Sequence, residues 1–290
     1  MEKAVNVRDA DNKQEYLRKF GLKSFIEFYF HNYHGYPCPL NNPQTLSEKI
    51  QWLKLNGNLE RFARYVDKYQ VREFINKTIG KEFLIPLLDV YSTVDEIDFE
   101  KLPEKFVIKA THGSGWNEVI LDKSKLDLAE LKKKCGDWLG TNFYDVSGEP
   151  NYKPLTGRII VEEYIGEEEV DLKDYKFFCF HGEPLFIQVD SERFDSHKRD
   201  LFTVKWEPLA FRLLYPKSEE QIQKPTMLNE MVTIAKELSR DFPLVRVDLY
   251  QTANRIYFGE LTFTPGSGFI AYDPREYDLF FGSKLDLSKY

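Results

Sequence analysis

Leu244-Val-Arg-Val-Asp-Leu-Tyr-Gln251, a turn at Thr252-Ala-Asn-Arg255, then Ile256-Tyr-Phe-Gly-Glu-Leu-Thr262 running into Phe263-Thr-Pro-Gly-Ser-Gly268 decides the fold. Two β-rich runs around a short polar turn centred on Ala253-Asn254 predict a hairpin. Period-two alternation puts Val245, Val247 and Leu249 on one face and Arg246, Asp248 and Tyr250 on the other. On the second strand it groups Ile256, Phe258, Glu260 and Thr262. If residue 248 pairs with 260, two carboxylates sit side by side, which is destabilising unless a cation lies between them or one stays protonated. An oxygen-only donor pair suits Mg²⁺, which takes one or two carboxylates and completes its shell with phosphate oxygens and water. Arg246, on the Asp248 face, is placed to clamp an anion. A solvated hairpin with outward charges fits the same alternation. The small residues of Thr264–Gly268 favour close approach of a ligand to the backbone.

Working outward, Phe106-Val-Ile-Lys-Ala110 is a strand with Lys109 inside it. A lysine there must reach solvent or a negative partner. The loop Thr111-His-Gly-Ser-Gly-Trp-Asn117 and a second β-rich run, Glu118-Val-Ile-Leu121, follow. Glycines let N–H groups turn toward phosphate oxygens, but no Gly-Lys-Ser/Thr opens a helix, so this is not a P-loop, and a plain hairpin turn fits equally. Ile160-Val-Glu-Glu-Tyr-Ile-Gly166 ends a strand in acids, with Glu167, Glu168 and Glu169 behind it.

The 290 residues are 42% apolar and 30% charged, which fits a globular chain and neither a disordered nor a membrane one. A net charge of −7 argues against duplex nucleic acid as the main partner. The N-terminal residues lack the apolar run of a secretion signal. Cys38, Cys135 and Cys179 are too few and too scattered for a disulfide framework or zinc site, so all three read as small buried groups in a reducing, cytoplasmic setting. Residues 1–80 read as mostly helical. Thr45-Leu-Ser-Glu48 is a capping box that opens one helix, and another runs from near Asp67 to Gly80 with Val71, Phe74 and Ile75 inward. Helices are expected over 127–140 and 226–241, and strands at 158–164, 175–180, 184–190 and 200–206. The chain is therefore α+β.

Five segments in order resemble the ATP-grasp superfamily and, more narrowly, its TupA-like (teichuronopeptide biosynthesis) branch. They are Pro43-Gln-Thr-Leu-Ser-Glu-Lys-Ile-Gln-Trp-Leu-Lys-Leu55, Asp67-Lys-Tyr-Gln-Val-Arg-Glu73, Leu102-Pro-Glu-Lys-Phe-Val-Ile-Lys-Ala-Thr-His-Gly-Ser-Gly115, Asp174-Tyr-Lys-Phe-Phe-Cys-Phe-His-Gly182, and Arg246-Val-Asp-Leu-Tyr250 with Gly259-Glu-Leu-Thr-Phe-Thr-Pro-Gly266. The resemblance implies an ATP-grasp fold: two α+β subdomains with mixed or antiparallel sheets enclosing an ATP cleft. Residues 1–80 would form a helical region, 81–165 the glycine-loop lid, and 166–290 the subdomain with the metal site. Lys68 and Lys109 resemble the lysines that hold nucleotide phosphates, and His112, Gly113, Ser114, Gly115 and Trp116 the flap over them. Glu162, Glu163, Tyr164 and Ile165 resemble the adenine hinge, and Glu169 the ribose acid. Asp248 and Glu260 match the magnesium carboxylates. Thr262 stands where many relatives carry a ligating asparagine, and Lys176 where many carry an arginine near the γ-phosphate.

The implied activity is carboxylate–amine ligation with ATP and Mg²⁺, through an acyl phosphate, on small-molecule or glycan substrates with a uronic-acid-type carboxylate. Lys109, Lys176 and Arg246 would neutralise developing charge. Kinase chemistry on a sugar hydroxyl fits the same site. A glycosyltransferase would need an Asp-x-Asp metal motif, which neither Asp195-Ser-His nor Asp248-Leu-Tyr supplies. A non-catalytic nucleotide module fits poorly with both lysines and both acids present. For the acceptor, Gly266 and Ser267 are candidates, as is the basic run Arg193, His197, Lys198 and Arg199; a solvated charged loop also accounts for that run. His112 and His197 are candidate general bases.

Overall fold

The computed structural model describes residues 7–166, 172–191, 197–219 and 221–290, with side chains from residue 12 onward. Helix α1 (Val7–His34) breaks at Gly21, whose φ of 77° and ψ of 170° are non-helical. Then come α2 (Leu46–Asn56), α3 (Ala63–Val66) and α4 (Val71–Thr78). The expected capping box opens α2: the Glu48 N–H donates to Thr45 Oγ1 at 3.2 Å and the Thr45 N–H to Glu48 Oε2 at 3.0 Å. In α4, Val71 and Ile75 are buried as the spacing predicts, and Phe74 is half-buried.

The next strands are β1 (Leu87–Tyr91), β2 (Phe106–Ala110) and β3 (Asn117–Ile120). Helices α5 (Leu128–Leu139) and α6 (Phe143–Ser147) and strand β4 (Ile159–Glu163) complete this part. The strands form an antiparallel sheet in the order β1-β4-β2-β3, packed against Leu131 and Cys135 of α5. Sequence reading had not singled out β1.

A second antiparallel sheet contains β5 (Asp174–Phe180), β6 (Glu183–Ser191), β7 (Lys198–Thr203) and, after the short β8 (Arg212–Leu213) and helix α7 (Leu228–Ser239), β9 (Leu244–Gln251) and β10 (Ile256–Thr262). Its strand order is β10-β9-β5-β6-β7. The chain ends with β11 (Tyr272–Asp273), which pairs with β8, and helix α8 (Glu276–Lys284). One face of the large sheet buries Val245, Val247, Leu249, Phe177 and Cys179 against Met231, Ile234, Ala235 and Leu238 of α7. Each large apolar side chain so buried contributes about 1.5–3 kcal/mol. The opposite face carries the polar site. Of the three cysteines, Cys135 and Cys179 are buried, whereas Cys38 is only half-buried.

The alternation rule holds on β9 and fails on β10. Glu260 does pair with Asp248, but Phe258 pairs with Leu249, so the register slips at Gly259. That extra residue is a bulge, and it reverses which face the following side chains occupy. Ile256 and Phe258 lie in the apolar core with Leu249, while Glu260 and Thr262 share the face of Asp248 and Arg246. The single face expected for residues 256, 258, 260 and 262 is thus split in two. A Cβ at Gly259 would stand 3.1 Å from the Asp248 carbonyl oxygen and 3.0 Å from the Tyr250 ring, so glycine suits the close approach.

Candidate functional site

Across the polar face of the large sheet, Glu260, Asp248, Lys176 and Gln188 form one row on four adjacent strands. The repulsion between the two acids is relieved by Arg246. Its Nε and one terminal nitrogen bond both oxygens of Asp248 at 2.7 Å, and that same nitrogen reaches Glu260 Oε1 at 2.9 Å. The pair thus has its counter-charge in the protein, so a divalent ion is not required to explain why it persists. Lys176 Nζ lies 2.6 Å from Asp248 Oδ2 and also bonds Asp174. Asp248 is almost fully buried, and Glu260 keeps 30% of its side-chain surface. Burial raises the Asp248 pKa, opposed by Arg246 and Lys176 and helped by Asp174 and Glu260. Burial acts on Glu260 the same way, but Lys68, Arg246 and Lys176 outweigh it and hold the carboxyl down at about 2. Thr262 Oγ1 donates to Glu260 Oε1 at 3.3 Å.

On the smaller sheet, Lys109 meets the negative partner its strand position demands. Its Nζ lies 2.7 Å from Glu162 Oε2, and Arg72 binds the other Glu162 oxygen at 3.0 Å. Lys68 donates through its N–H to Thr111 O at 3.0 Å and through Nζ to Gly113 O. Burial depresses the Lys68 pKa, Glu260 pulls it back up and Lys109 pushes it down. Lys68 is therefore coupled to both clusters.

The other expected residues fall as follows. Gly113 is buried, and a Cβ there would clash with the Trp116 ring at 2.3 Å, while Ser114 and Gly115 are exposed. His112 does not belong to an open flap: it is buried, and its Nε2–H donates to the carbonyls of Trp138 at 3.0 Å and Thr141 at 3.2 Å. The Glu162 carboxylate is taken up by its ion pairs. The Glu163 N–H bonds Pro86 O at 3.0 Å, while Tyr164 and Ile165 follow the end of β4, where no backbone bond among the described residues takes the Ile165 N–H. Glu169 and Arg193 lie outside the described residues. The basic run is not simply a solvated loop. Arg199 is buried and bonds Asp190 Oδ1 at 2.7 Å, and His197 stacks on Tyr215 with its Nε2 3.2 Å from Asp190. Gly266 and Ser267 form a tight turn at the edge of the site.

Several neighbours went unread in the sequence. Tyr152 is buried, and its hydroxyl senses Glu149, Glu260, Arg246 and Asp248. Glu149 accepts from Thr264 Oγ1, and both side-chain polar atoms of Asn151 are buried without partners among the described residues. Glu149-Pro-Asn-Tyr152 matches no spacing rule, so only the proline gave a local signal.

Asp248 and Glu260 supply hard oxygen donors, with the partly open Glu260 the more available. No group of three or more His, Cys, Asp or Glu among the described residues forms a metal site alone. The donor set therefore fits a magnesium ion that arrives with phosphate oxygens. The model of the TupA-like ATP-grasp family matches residues 48–286. The chain belongs to that family. Its fold is accordingly the ATP-grasp fold, α+β with antiparallel sheets. No match was found among curated protein sequences. Among solved structures, the D-alanine–D-alanine ligase from Bacillus anthracis complexed with ATP is 14% identical, over 69% of this chain and 55% of that one, with a TM-score of 0.43. The ATP-grasp ligase PsnB with a phosphomimetic precursor variant, Mg and ADP is 10% identical over 88% and 65%, with a TM-score of 0.43. The N5-carboxyaminoimidazole synthase from Aspergillus clavatus is 11% identical over 69% and 44%, with a TM-score of 0.39. The chain spans little more than half the length of the first of these. Among the described residues no helix is long and apolar enough to cross a membrane.

Proposed function

We propose that this TupA-like ATP-grasp protein is an ATP- and Mg²⁺-dependent carboxylate–amine ligase of the cytoplasm. It would activate a uronic-acid-type carboxylate as an acyl phosphate and join it to an amino acid or other amine, in the assembly of capsular or cell-surface polysaccharide. The observation that carries the reading is the sorting of charge across the cleft. Lys68, Lys109 and Arg72 outnumber Glu162 and Asp67 on one side, while Asp174, Asp248 and Glu260 outnumber Arg246 and Lys176 on the other. The first side suits phosphates and the second a cation.

In this reading Lys68 and Lys109 bind the triphosphate, and the Gly113–Gly115 backbone covers it and limits water. The backbone around Glu163 and Ile165 meets adenine, and Glu169 the ribose. Asp248 and Glu260, with Thr262 in support, hold the metal, which supplies charge neutralisation at the phosphates. Arg246 has one terminal nitrogen with no hydrogen bond among the described residues, which leaves donors for the carboxylate under attack. Lys176 fixes Asp248 beside it. A pocket of about 70 Å³ next to Arg246 suits the acid: Gln188 and Arg199 add polar groups, Ile50 and Phe178 apolar wall, and Gly266 and Gly268 backbone.

Purified protein incubated with ATP, Mg²⁺, an amine panel and glucuronate-type acids is expected to release ADP only when acid and amine are both present, with an amide as product. A phosphorylated sugar without nitrogen incorporation would select a kinase instead. No acid- and amine-dependent release from any pair would overturn the reading.

A further inference from the structure

The turn after β10 is held in an uncommon conformation. Gly266 has φ 57° and Ser267 φ 55°, both left-handed, a strained conformation for serine. Such backbone persists only where its surroundings impose it, and here helix α2 imposes it. Ser47, Gln51 and Lys54 recur at i, i+4 and i+7, hence on one helical face, and all three are buried. An apolar stripe ordinarily fills such a face. Instead, Gln51 Nε2 donates to Ser267 O at 2.9 Å. Lys54 Nζ donates to the same carbonyl and to Ser267 Oγ, each at 2.7 Å. The turn sits flush on the helix, since a Cβ at Gly268 would meet Gln51 Nε2 at 2.5 Å and Ile50 Cγ2 at 2.8 Å.

Other segments close the ring. Glu149 accepts from Thr264, Ser267 Oγ donates to Ser147 O at 3.3 Å, and His34 Nε2 lies 3.2 Å from Gly268 O. Lys54 Nζ also stands 4.5 Å over the Phe269 ring. Burying an ammonium forfeits its hydration, whereas a leucine at 54 would pack α2 without that loss. Burial lowers the Lys54 pKa to about 7, with Glu149 pulling it up and Lys13 pushing it down. The stripe thus trades helix packing for control of a single turn, and Pro265, Gly266 and Gly268 of that turn line the pocket that Arg246 also lines.

We infer that Lys54 is a positioning residue for the acid-binding pocket: by gripping the Ser267 carbonyl and hydroxyl, it sets the Gly266–Gly268 backbone as the wall that receives the acceptor carboxylate. The assignment rests on reading that pocket as the acid site. The test compares wild type, Lys54→Met and Ser267→Ala, with glucuronate-type acids as probes. Lys54→Met is expected to raise the acid KM about tenfold or more, with kcat changed less than threefold and ATP–Mg²⁺ affinity by calorimetry within twofold. Ser267→Ala removes one contact without stranding a buried charge, so it is expected to fold even if Lys54→Met does not, and to raise the acid KM by a smaller factor. An unchanged acid KM in a folded variant, or a parallel loss of ATP affinity, overturns the assignment and leaves the ligase reading standing. A wild type that releases no ADP with any acid removes both.

Discussion

At the smaller sheet, Lys109 of β2 and Arg72 of α4 share the two oxygens of one acid, Glu162 of β4. On the larger sheet, Arg246 and Lys176 share Asp248 while Asp174 and Glu260 crowd the same cations. Both clusters are largely shielded from water, so neither imbalance is screened away. The first is left with surplus positive charge and the second with surplus negative charge. Lys68 joins them, since it is coupled to Lys109 and to Glu260. The difference teaches that each cluster is electrostatically incomplete alone; under the proposed function, one ligand with an anionic part and a cationic part would complete both.

The strongest way to break this comparison is to remove the open acid of the negative cluster. Glu260→Gln is expected to cut ATP turnover by about a thousandfold, measured as ADP release, with a native circular dichroism spectrum; normal turnover would exclude Glu260 from metal binding. A smaller effect is expected on the positive side. Lys109→Met should weaken ATP binding roughly tenfold to a hundredfold, as loss of a charged hydrogen bond does, and calorimetry reads it directly. An unchanged affinity would remove Lys109 from the phosphate site. The mildest test is pH. The folded-state pKa of Glu260 is depressed from 4.5 to about 2, so its ionised form adds stability above pH 4.5, and that contribution is lost as pH falls toward 2. The unfolding free-energy gap between wild type and Glu260→Gln should stay level from pH 8 to about 5, then close on acidification. A gap that closes between pH 7 and 5 would contradict the electrostatics.

Much of the frame was readable in the chain. The capping box at Thr45, the apolar spacing of α4, and the alternation of β9 are local signals, and local geometry obeyed them. Lys109 demanded an acid, but alternation could not say that Glu162, 53 positions away, would answer. The same limit hid the Arg199–Asp190 pair, which reads as loop charge until β6 and β7 align, and the grip of Lys54 on Ser267. His112 looked like flap because it borders glycines, yet its ring is buried and its Nε2–H donates to carbonyls at the C-terminal end of α5 and just after it. Gly259 misled for another reason: a glycine in a strand is compatible with a bulge, but only the partner strand determines whether one forms.

The slip at Gly259 lets one short ribbon serve two masters, oily near its tip and acidic near its base. Because that division depends on counting, its weak point is the register itself: were Gly259 to pair regularly with Asp248, Glu260 would fall opposite Val247 in the apolar layer and Leu261 would turn to the polar face, whereas losing Gly259 outright would leave a regular ribbon with the acid still beside Asp248.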